Sequence, residues 1–188
     1  MFDSPKLPSG PFEIIVSDPP WRFASNSDAK PGRNARRHYP CMTDAELMAL
    51  PVAESAAENA LLFGWTTAPM MERSLRVFSA WGFKYVSQLV WTKERIGTGF
   101  WVRNQHEICL LMKRGKFPCP KPAPFETSII GPWQGRHSEK PEFLQDRIDQ
   151  IWPAVPKLEM FARRVRPGWA LFGNEIPNES RAQEVIST

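Results

Sequence analysis

No run of apolar residues in this chain approaches the roughly 20 that a bilayer-crossing helix requires, so no membrane partner is expected. The opening Met1-Phe2-Asp3-Ser4-Pro5 has neither a basic stretch nor an apolar core, and no export signal is read there. Cysteine is scarce. Cys41, Cys109 and Cys119 form an odd set without CxxC spacing, which argues against a disulfide framework and for a reducing, cytoplasmic setting. Internal repeats, heptads and low-complexity tracts are missing. So are the phosphate-binding Walker sequence and the G-x-S-x-G elbow. Gly97-Thr98-Gly99 begins like a dinucleotide fingerprint, but lacks the third glycine and opens no helix.

Metal chemistry is short of ligands as well. His38-x-x-Cys41 supplies two of the usual four zinc ligands. His106 and Cys109 lie three apart on an expected strand, facing opposite sides. Cys119 has no CxxC partner, so the zinc-deaminase signature fails, and no metal is expected.

What remains is an ordinary globular composition, 42% hydrophobic and 23% charged over 188 residues, which predicts one domain spanning 1–188. A net charge of +4 leans toward a polyanionic partner. Eight tryptophans and 19 prolines point to aromatic-lined surfaces and stiff loops rather than a helical bundle.

Buried strands are predicted at Phe12–Ser17, Ala60–Thr66, Phe83–Trp91, Glu107–Lys113, Lys157–Phe161 and Trp169–Gly173, as near-continuous apolar runs. Between them, Thr43-Asp44-Ala45-Glu46 is a capping box that opens a short helix. Pro69 begins a second helix that Gly82 closes, and Pro141 begins a third, carrying Leu144, Ile148 and Ile151 on one face. Lys116–Phe125 holds four prolines and reads as an extended connector, and Glu94–Asn104 as a polar, glycine-hinged loop. Strands that alternate with helices and are apolar throughout predict an α/β fold with a mostly parallel sheet covered on both faces. Ligands of such sheets sit beyond the carboxyl ends of the strands.

Asp18-Pro19-Pro20-Trp21 stands at such an end, directly after the first apolar run. The lone pair of an exocyclic amine such as adenine N6 is delocalised into its ring. Two acceptors aimed at its two protons favour the reactive tetrahedral form and stabilise the charge that develops on attack. The Asp18 carboxylate and the Pro19 carbonyl are two such acceptors, and proline offers no competing N–H and a fixed φ. Trp21 is expected to offer a flat face to a base drawn out of its stack. The plainer alternative is a stiff strand-to-loop turn.

Several blocks in order resemble the MT-A70 family, that of the mRNA N6-adenosine methyltransferase catalytic subunit with its bacterial and phage DNA-methylating relatives. They are Ser17–Trp21, Tyr39–Leu50, Leu61–Thr67, Trp81–Phe83, Val90–Lys93, Thr98–Trp101, Glu107–Leu110, His137–Glu142, Leu158–Arg163, Gly168–Trp169 and Gly173–Glu175. The resemblance implies a Rossmann-like class I methyltransferase sheet with permuted motif order, in which the catalytic tetrapeptide precedes the cofactor strand. It implies S-adenosyl-L-methionine as cofactor and transfer of a methyl group to adenine N6 in nucleic acid, with Asp18, Pro19, Pro20 and Trp21 as the catalytic set. Lys140 would pair with the cofactor's methionyl carboxylate, the alternative being a solvated lysine at a helix start. Phe161, Arg163, Gly173, Asn174 and Glu175 would complete the cofactor site. Two departures stand out: Ala162 replaces the first glycine of the usual turn, and the turn after Arg163 is one residue shorter than in the mRNA enzyme.

For the substrate, Tyr39 lies where the family places an aromatic near the target base, or else it packs on the core. Arg36 and Arg37, with Arg33 and His38, form a basic loop suited to phosphate contacts or simply to solvation. Trp101 and Arg103, with Phe100, could stack on bases. The absence of an appended recognition domain favours DNA over RNA and relaxed or short target specificity, with a homodimer or a partner subunit possible. The rival reading is a catalytically inactive nucleic-acid-binding partner subunit of the same fold, and a third is methylation of a small-molecule or protein amine.

Overall fold

The computed structural model of the protein describes residues 6–22, 41–94, 96–97, 99, 101–130 and 140–173. The first strand, β1 (Phe12–Ser17), has Ile14, Ile15 and Val16 at 0%, 0% and 2% exposure, so both of its faces are covered. That double burial is why its sequence is apolar without alternation. Next come α1 (Asp44–Met48), α2 (Val52–Ser55), β2 (Ala56–Thr66), a single 3-10 turn Ala68–Met70 and α3 (Met71–Ala80). After these follow β3 (Lys84–Thr92), β4 (His106–Arg114), β5 (Ser128–Ile130), α4 (Phe143–Ile151), β6 (Lys157–Met160) and β7 (Trp169–Phe172).

The strands form one 7-stranded sheet in the order β5-β3-β4-β2-β1-β6-β7. Pairing is parallel for β1 with β2 and β6, for β6 with β7 and for β3 with β5. Only β4 is antiparallel, to both β2 and β3. Residues 93–105 connect β3 to β4 as neighbours in a hairpin, and a hairpin reverses direction. The α/β expectation of a mostly parallel sheet therefore holds, with one inserted strand running the other way.

Each face carries its own core. On one, Leu47 of α1, Val52 of α2 and Val77 and Phe78 of α3 pack with Ile15, Leu62 and Leu110. On the other, Leu144 and Ile148 of α4 pack with Ile14, Phe63 and Trp91. Helices lie on both faces, as the pattern of apolar strands requires. The capping box forms as expected, with the Thr43 side chain accepting from the Glu46 N–H and the Glu46 carboxylate accepting from the Thr43 N–H. Gly82 closes α3 at φ +89, where a Cβ would be strained.

Several details differ from the sequence expectation: the short helix α2 follows Pro51, where none was expected, and the first half of β3 is exposed, with Tyr85 and Val86 open to solvent. β2 begins at Ala56, because its first turn of strand carries the exposed Glu58 and Asn59 and so lacks the apolar signature. β5 follows the proline-rich connector as a three-residue strand, too short for periodicity to report.

The connection from β6 to β7 positions the site. Parallel neighbours ordinarily need a crossover of about a dozen residues, usually helical. Here each strand has 4 residues, so the return covers only about 13 Å. Residues 161–168 make it as a bare turn, leaving the carboxyl end of β6 without a helix over it. Among the described residues no helix is long and apolar enough to cross a membrane.

Candidate active site

β1 ends at Ser17, in register with Gly64 of β2 and Met160 of β6, so Asp18 emerges at the carboxyl end of three parallel strands. The Asp18 N–H reaches Met160 O at 3.5 Å. The prolines that follow offer only carbonyls, and both are engaged. Trp21 N–H donates to Pro19 O at 2.8 Å, and Met42 N–H to Pro20 O at 3.0 Å, beside a parallel bridge between Trp21 and Met42. A carbonyl oxygen has two lone pairs, so the bond from Trp21 aims the Pro19 carbonyl and leaves it able to accept once more.

Four charged side chains meet at this end of the sheet. Lys140, just before α4, places Nζ 2.8 Å from Asp18 Oδ2 and 3.1 Å from Glu107 Oε2. Its ammonium also stands 5.8 Å from the centre of the Trp65 ring. The other oxygen of Glu107 accepts from Lys93. Burial alone would lower the Lys140 pKa, yet the carboxylates of Asp18 and Glu107 outweigh it and raise the ammonium above its ordinary value. Burial likewise opposes ionisation of Glu107, but Lys140 and Lys93 hold its carboxyl below the usual range. Cys109, fully buried on the same strand, has its thiol pushed well up, chiefly by burial and then by Asp18. That thiol stays protonated and has no nucleophilic part.

A cleft opens from Asp18 and Lys140 across the end of β6. Trp65, Gln145, Glu159, Phe161, Arg163 and Arg164 line it. Gln145 Nε2 donates to Glu159 Oε1 at 3.0 Å, while Gln145 Oε1 is buried and finds no hydrogen-bond partner among the described residues. Burial raises the Glu159 pKa despite that bond from Gln145. The space beside Asp18 is small, about 40 Å³, because Lys140 and Asp18 are joined across it. It adjoins a larger space of about 370 Å³ between α4 and the 161–168 turn, and Gln145, Glu159 and Arg164 border both. Gly173 closes the turn from behind, and a Cβ there would meet Ala162 O at 2.6 Å. Phe161, at φ +61, stands edge-on to Phe172 with ring centres 5.8 Å apart.

The structure thus brings Asp18, Lys140, Phe161 and Arg163 to one cleft, with Gly173 packed behind it, while Pro19 is buried beside Asp18 and is not among the residues that line it. Pro20 shapes the turn through its carbonyl. Trp21 does not have the expected open face and is corrected here. It is 4% exposed, donates Nε1–H to Trp65 O at 3.2 Å, and packs edge-on against Phe78. An indole enclosed in this way anchors the turn to β2 and α3, and its face is covered in this structure. Trp101 and Arg103 lie on the β3–β4 connection outside the cleft. Trp101 is 94% exposed at φ +65, and Arg103 Nε donates to Gly97 O at 2.8 Å. Tyr39, Arg33, Arg36, Arg37, His38, Phe100, Asn174 and Glu175 lie outside the described residues.

Sequence reasoning gave no role to Glu107, Gln145 or Glu159. Two of them had a signal: Glu107 and Glu159 are carboxylates inside strands, where an unpaired charge is costly and a partner is implied, while Gln145 had none.

A parallel sheet with an antiparallel insert, a cleft at its carboxyl ends and an acidic residue before two prolines narrow the possibilities, and comparison of sequences decides among them. The profile of the MT-A70 family matches residues 12–175. The chain belongs to the MT-A70 family. One relative is the type II methyltransferase M.MunI of Mycoplasma sp., 33% identical over 190 residues, which are 93% of this chain and 82% of the relative. Another is the N(6)-adenosine-methyltransferase MT-A70-like protein of Arabidopsis thaliana, 29% identical over 177 residues, 89% of this chain and 24% of the relative. The human N(6)-adenosine-methyltransferase catalytic subunit METTL3 is 27% identical over 179 residues, 89% of this chain and 28% of the relative. The chain therefore spans about a quarter of the length of the last two.

Proposed function

We propose that this MT-A70 chain transfers a methyl group from S-adenosyl-L-methionine to the N6 amine of adenine in nucleic acid, DNA being favoured over RNA. The observation that carries this reading is the Asp18 carboxylate lining the cleft at the carboxyl ends of the strands, followed directly by the Pro19 carbonyl, which its bond from Trp21 orients. DNA is favoured because the chain is 33% identical to the type II methyltransferase and 27–29% identical to the adenosine methyltransferases.

The donor set fits the cofactor. Its methionyl end carries one carboxylate and one ammonium, and the cleft offers the Lys140 ammonium to the first. The buried Glu159 carboxyl and the unpartnered Gln145 Oε1 are acceptors for the second. Phe161, Arg163, Asn174 and Glu175 would hold the nucleoside end. When bound, S-adenosyl-L-methionine supplies an electrophilic methyl group.

The chain's own residues then act on the amine. Asp18 and Pro19 would each accept a hydrogen bond from one of its two N–H groups, which localises the nitrogen lone pair and stabilises the charge that grows on it. The one proton lost as the N–C bond forms would pass to the Asp18 carboxylate or to solvent. Lys140 is paired with Asp18 in this structure, so the carboxylate of a ligand at Lys140 would free Asp18 for the amine. Glu107, shared with Lys93, stays paired with Lys140 throughout. Tyr39, Arg36, Arg37, Trp101 and Arg103 are assigned to the nucleic acid around the target base.

The test is transfer of labelled methyl groups to single- and double-stranded DNA and to RNA, with the product nucleoside identified by mass spectrometry. N6-methyladenine is the expected product. Asp18→Ala should lower turnover by at least a factor on the order of 10²–10³ while leaving cofactor binding largely intact. Full turnover in that variant, or a methylated product other than N6-methyladenine, sinks the proposal.

A further inference from the structure

The Asp18–Trp21 turn is also held from the side away from the cleft. Arg73, in the first turn of α3, donates Nη1–H to the carbonyl of Arg22, the residue that leaves the turn, at 2.8 Å. The same guanidinium grips the Asp44 carboxylate, with Nε 2.9 Å from each oxygen and Nη2 2.5 Å from Oδ1. Nη1 also lies 3.0 Å from Met70 Sδ. Asp44 opens α1, two residues after Met42, whose N–H donates to Pro20 O. One side chain therefore ties together the exit of the turn at 21–22, the returning chain at 41–44, and α3.

The turn needs such an outside hold. Pro19 and Pro20 have no N–H, so the turn has no donors of its own at those positions. Its geometry is set at its ends, by Asp18 N–H on one side and by Trp21, Arg22 and Met42 on the other. The planar fork of an arginine can hold a carboxylate with two nitrogens and still reach a carbonyl, and a lysine ammonium cannot. An ion pair this open to solvent, with side chains 25% and 27% exposed, adds only about 0–1 kcal/mol to stability by itself. Its bond to the Arg22 backbone is the more telling feature. Asp44 is held below its usual pKa first by the hydrogen bond from Arg73.

We propose that Arg73 is a positioning residue of the methyl-transfer site, fixing the exit of the Asp18–Trp21 turn, and with it the aim of the Pro19 carbonyl, through the Arg22 carbonyl and Asp44. Its kinetic consequence rests on the function proposed above; its structural consequence does not. The experiment therefore has two arms, run on the wild-type chain, Arg73→Ala and Arg73→Lys. In the first, amide hydrogen exchange is followed without any ligand. Both variants should speed exchange at Trp21 and Met42 by about tenfold or more while Ile15 and Leu62, inside β1 and β2, stay unchanged. In the second, kcat should fall by a factor on the order of 10–10² in both variants, with the cofactor Kd unchanged, and the charge kept in Arg73→Lys should restore thermal stability without restoring kcat.

Unchanged exchange at Trp21 and Met42 overturns the proposal, whatever the kinetics. A uniform rise across β1 and β2, or faster exchange at the turn with kcat intact, overturns it equally. A wild-type chain that transfers no methyl group counts against the function proposed above, and the exchange arm then decides the role of Arg73 alone.

Discussion

Two lysines are drawn out of water at opposite ends of the same parallel strands. Lys140 lies at the carboxyl ends beside Asp18, its side chain 10% exposed, and Lys157 starts β6 with its side chain 3% exposed. Each stands over a tryptophan, Lys140 at 5.8 Å from the Trp65 ring and Lys157 at 5.9 Å from Trp169. Their partners differ. Lys140 has two carboxylates within hydrogen-bond distance, Asp18 and Glu107, and one of them borders a cleft. Lys157 has Asp149 at 3.4 Å and the Pro153 carbonyl at 3.2 Å, and Asp149 is itself shared with Arg166 at 2.9 Å and with Trp169 Nε1 at 3.0 Å. At the carboxyl end Lys140 sits between two carboxylates, of which Glu107 also holds Lys93, so Asp18 is the one that a ligand's carboxylate can replace. At the amino end donors crowd a single anion, and the arrangement is a staple joining α4 to β6 and β7.

Replacing each lysine with methionine gives the largest expected contrast. Lys140→Met should weaken S-adenosyl-L-methionine binding by at least tenfold, since losing a buried charge partner costs on the order of 2–5 kcal/mol of binding. Turnover should fall with it. Lys157→Met should leave affinity unchanged and cost at most about 2 kcal/mol of stability, because Asp149 keeps Arg166 and Trp169. Calorimetric titration with the cofactor and denaturant unfolding of both variants check this. Equal loss of affinity in the two would erase the distinction between site and staple.

Glu107→Gln probes the same contrast at intermediate size. The folded chain holds the Glu107 carboxyl below the ordinary 4.5 through Lys140 and Lys93, against the opposing effect of burial. A depressed folded pKa means that the ionised carboxylate contributes stability fully above about 4.5, lost as pH falls through the lower folded value. The variant should lose about 2 kcal/mol at neutral pH, the scale of a hydrogen bond to a charged group. It should also show a shallower decline of stability below pH 4.5 than the wild type. Denaturant midpoints at neutral and acidic pH measure both, and an unchanged acid slope would assign that titration to another group.

Much of the fold was legible because burial on both faces writes itself into β1, β2 and β4 as unbroken apolar runs. The capping box of Thr43 and Glu46 was legible because its logic is local. β5 was not, since three residues carry no period, and neither was the start of β2, where Glu58 and Asn59 face solvent. Of the site, Asp18 and Lys140 could be named from their motifs, but the bond between them could not, because it joins residues far apart in the chain. Glu107 was overlooked for the same reason: its partners Lys93 and Lys140 lie just after β3 and just before α4, and only the fold brings them together. Trp21 shows a different limit. An aromatic closing such a turn looks the same in sequence whether it stacks on a ligand or fills the core, and here its burial and its bond to Trp65 O put it in the core.

The smallest expected effect follows from that bond. Trp21→Phe keeps an aromatic ring against Phe78 and removes the Nε1–H donor to Trp65 O, leaving one buried carbonyl unpaired. The loss in stability should be about 1–2 kcal/mol. Because the ring faces Phe78 and not the cleft, KM for the nucleic acid should stay within about twofold of wild type, where loss of a stacked base contact would cost on the order of 1–3 kcal/mol of binding. Steady-state kinetics beside thermal unfolding separates the two. Lower stability with KM intact places Trp21 with Lys157 among the groups that hold the sheet together, although it adjoins Asp18 in sequence. A tenfold rise in KM at unchanged stability would instead return Trp21 to the substrate and mean that the turn opens on binding.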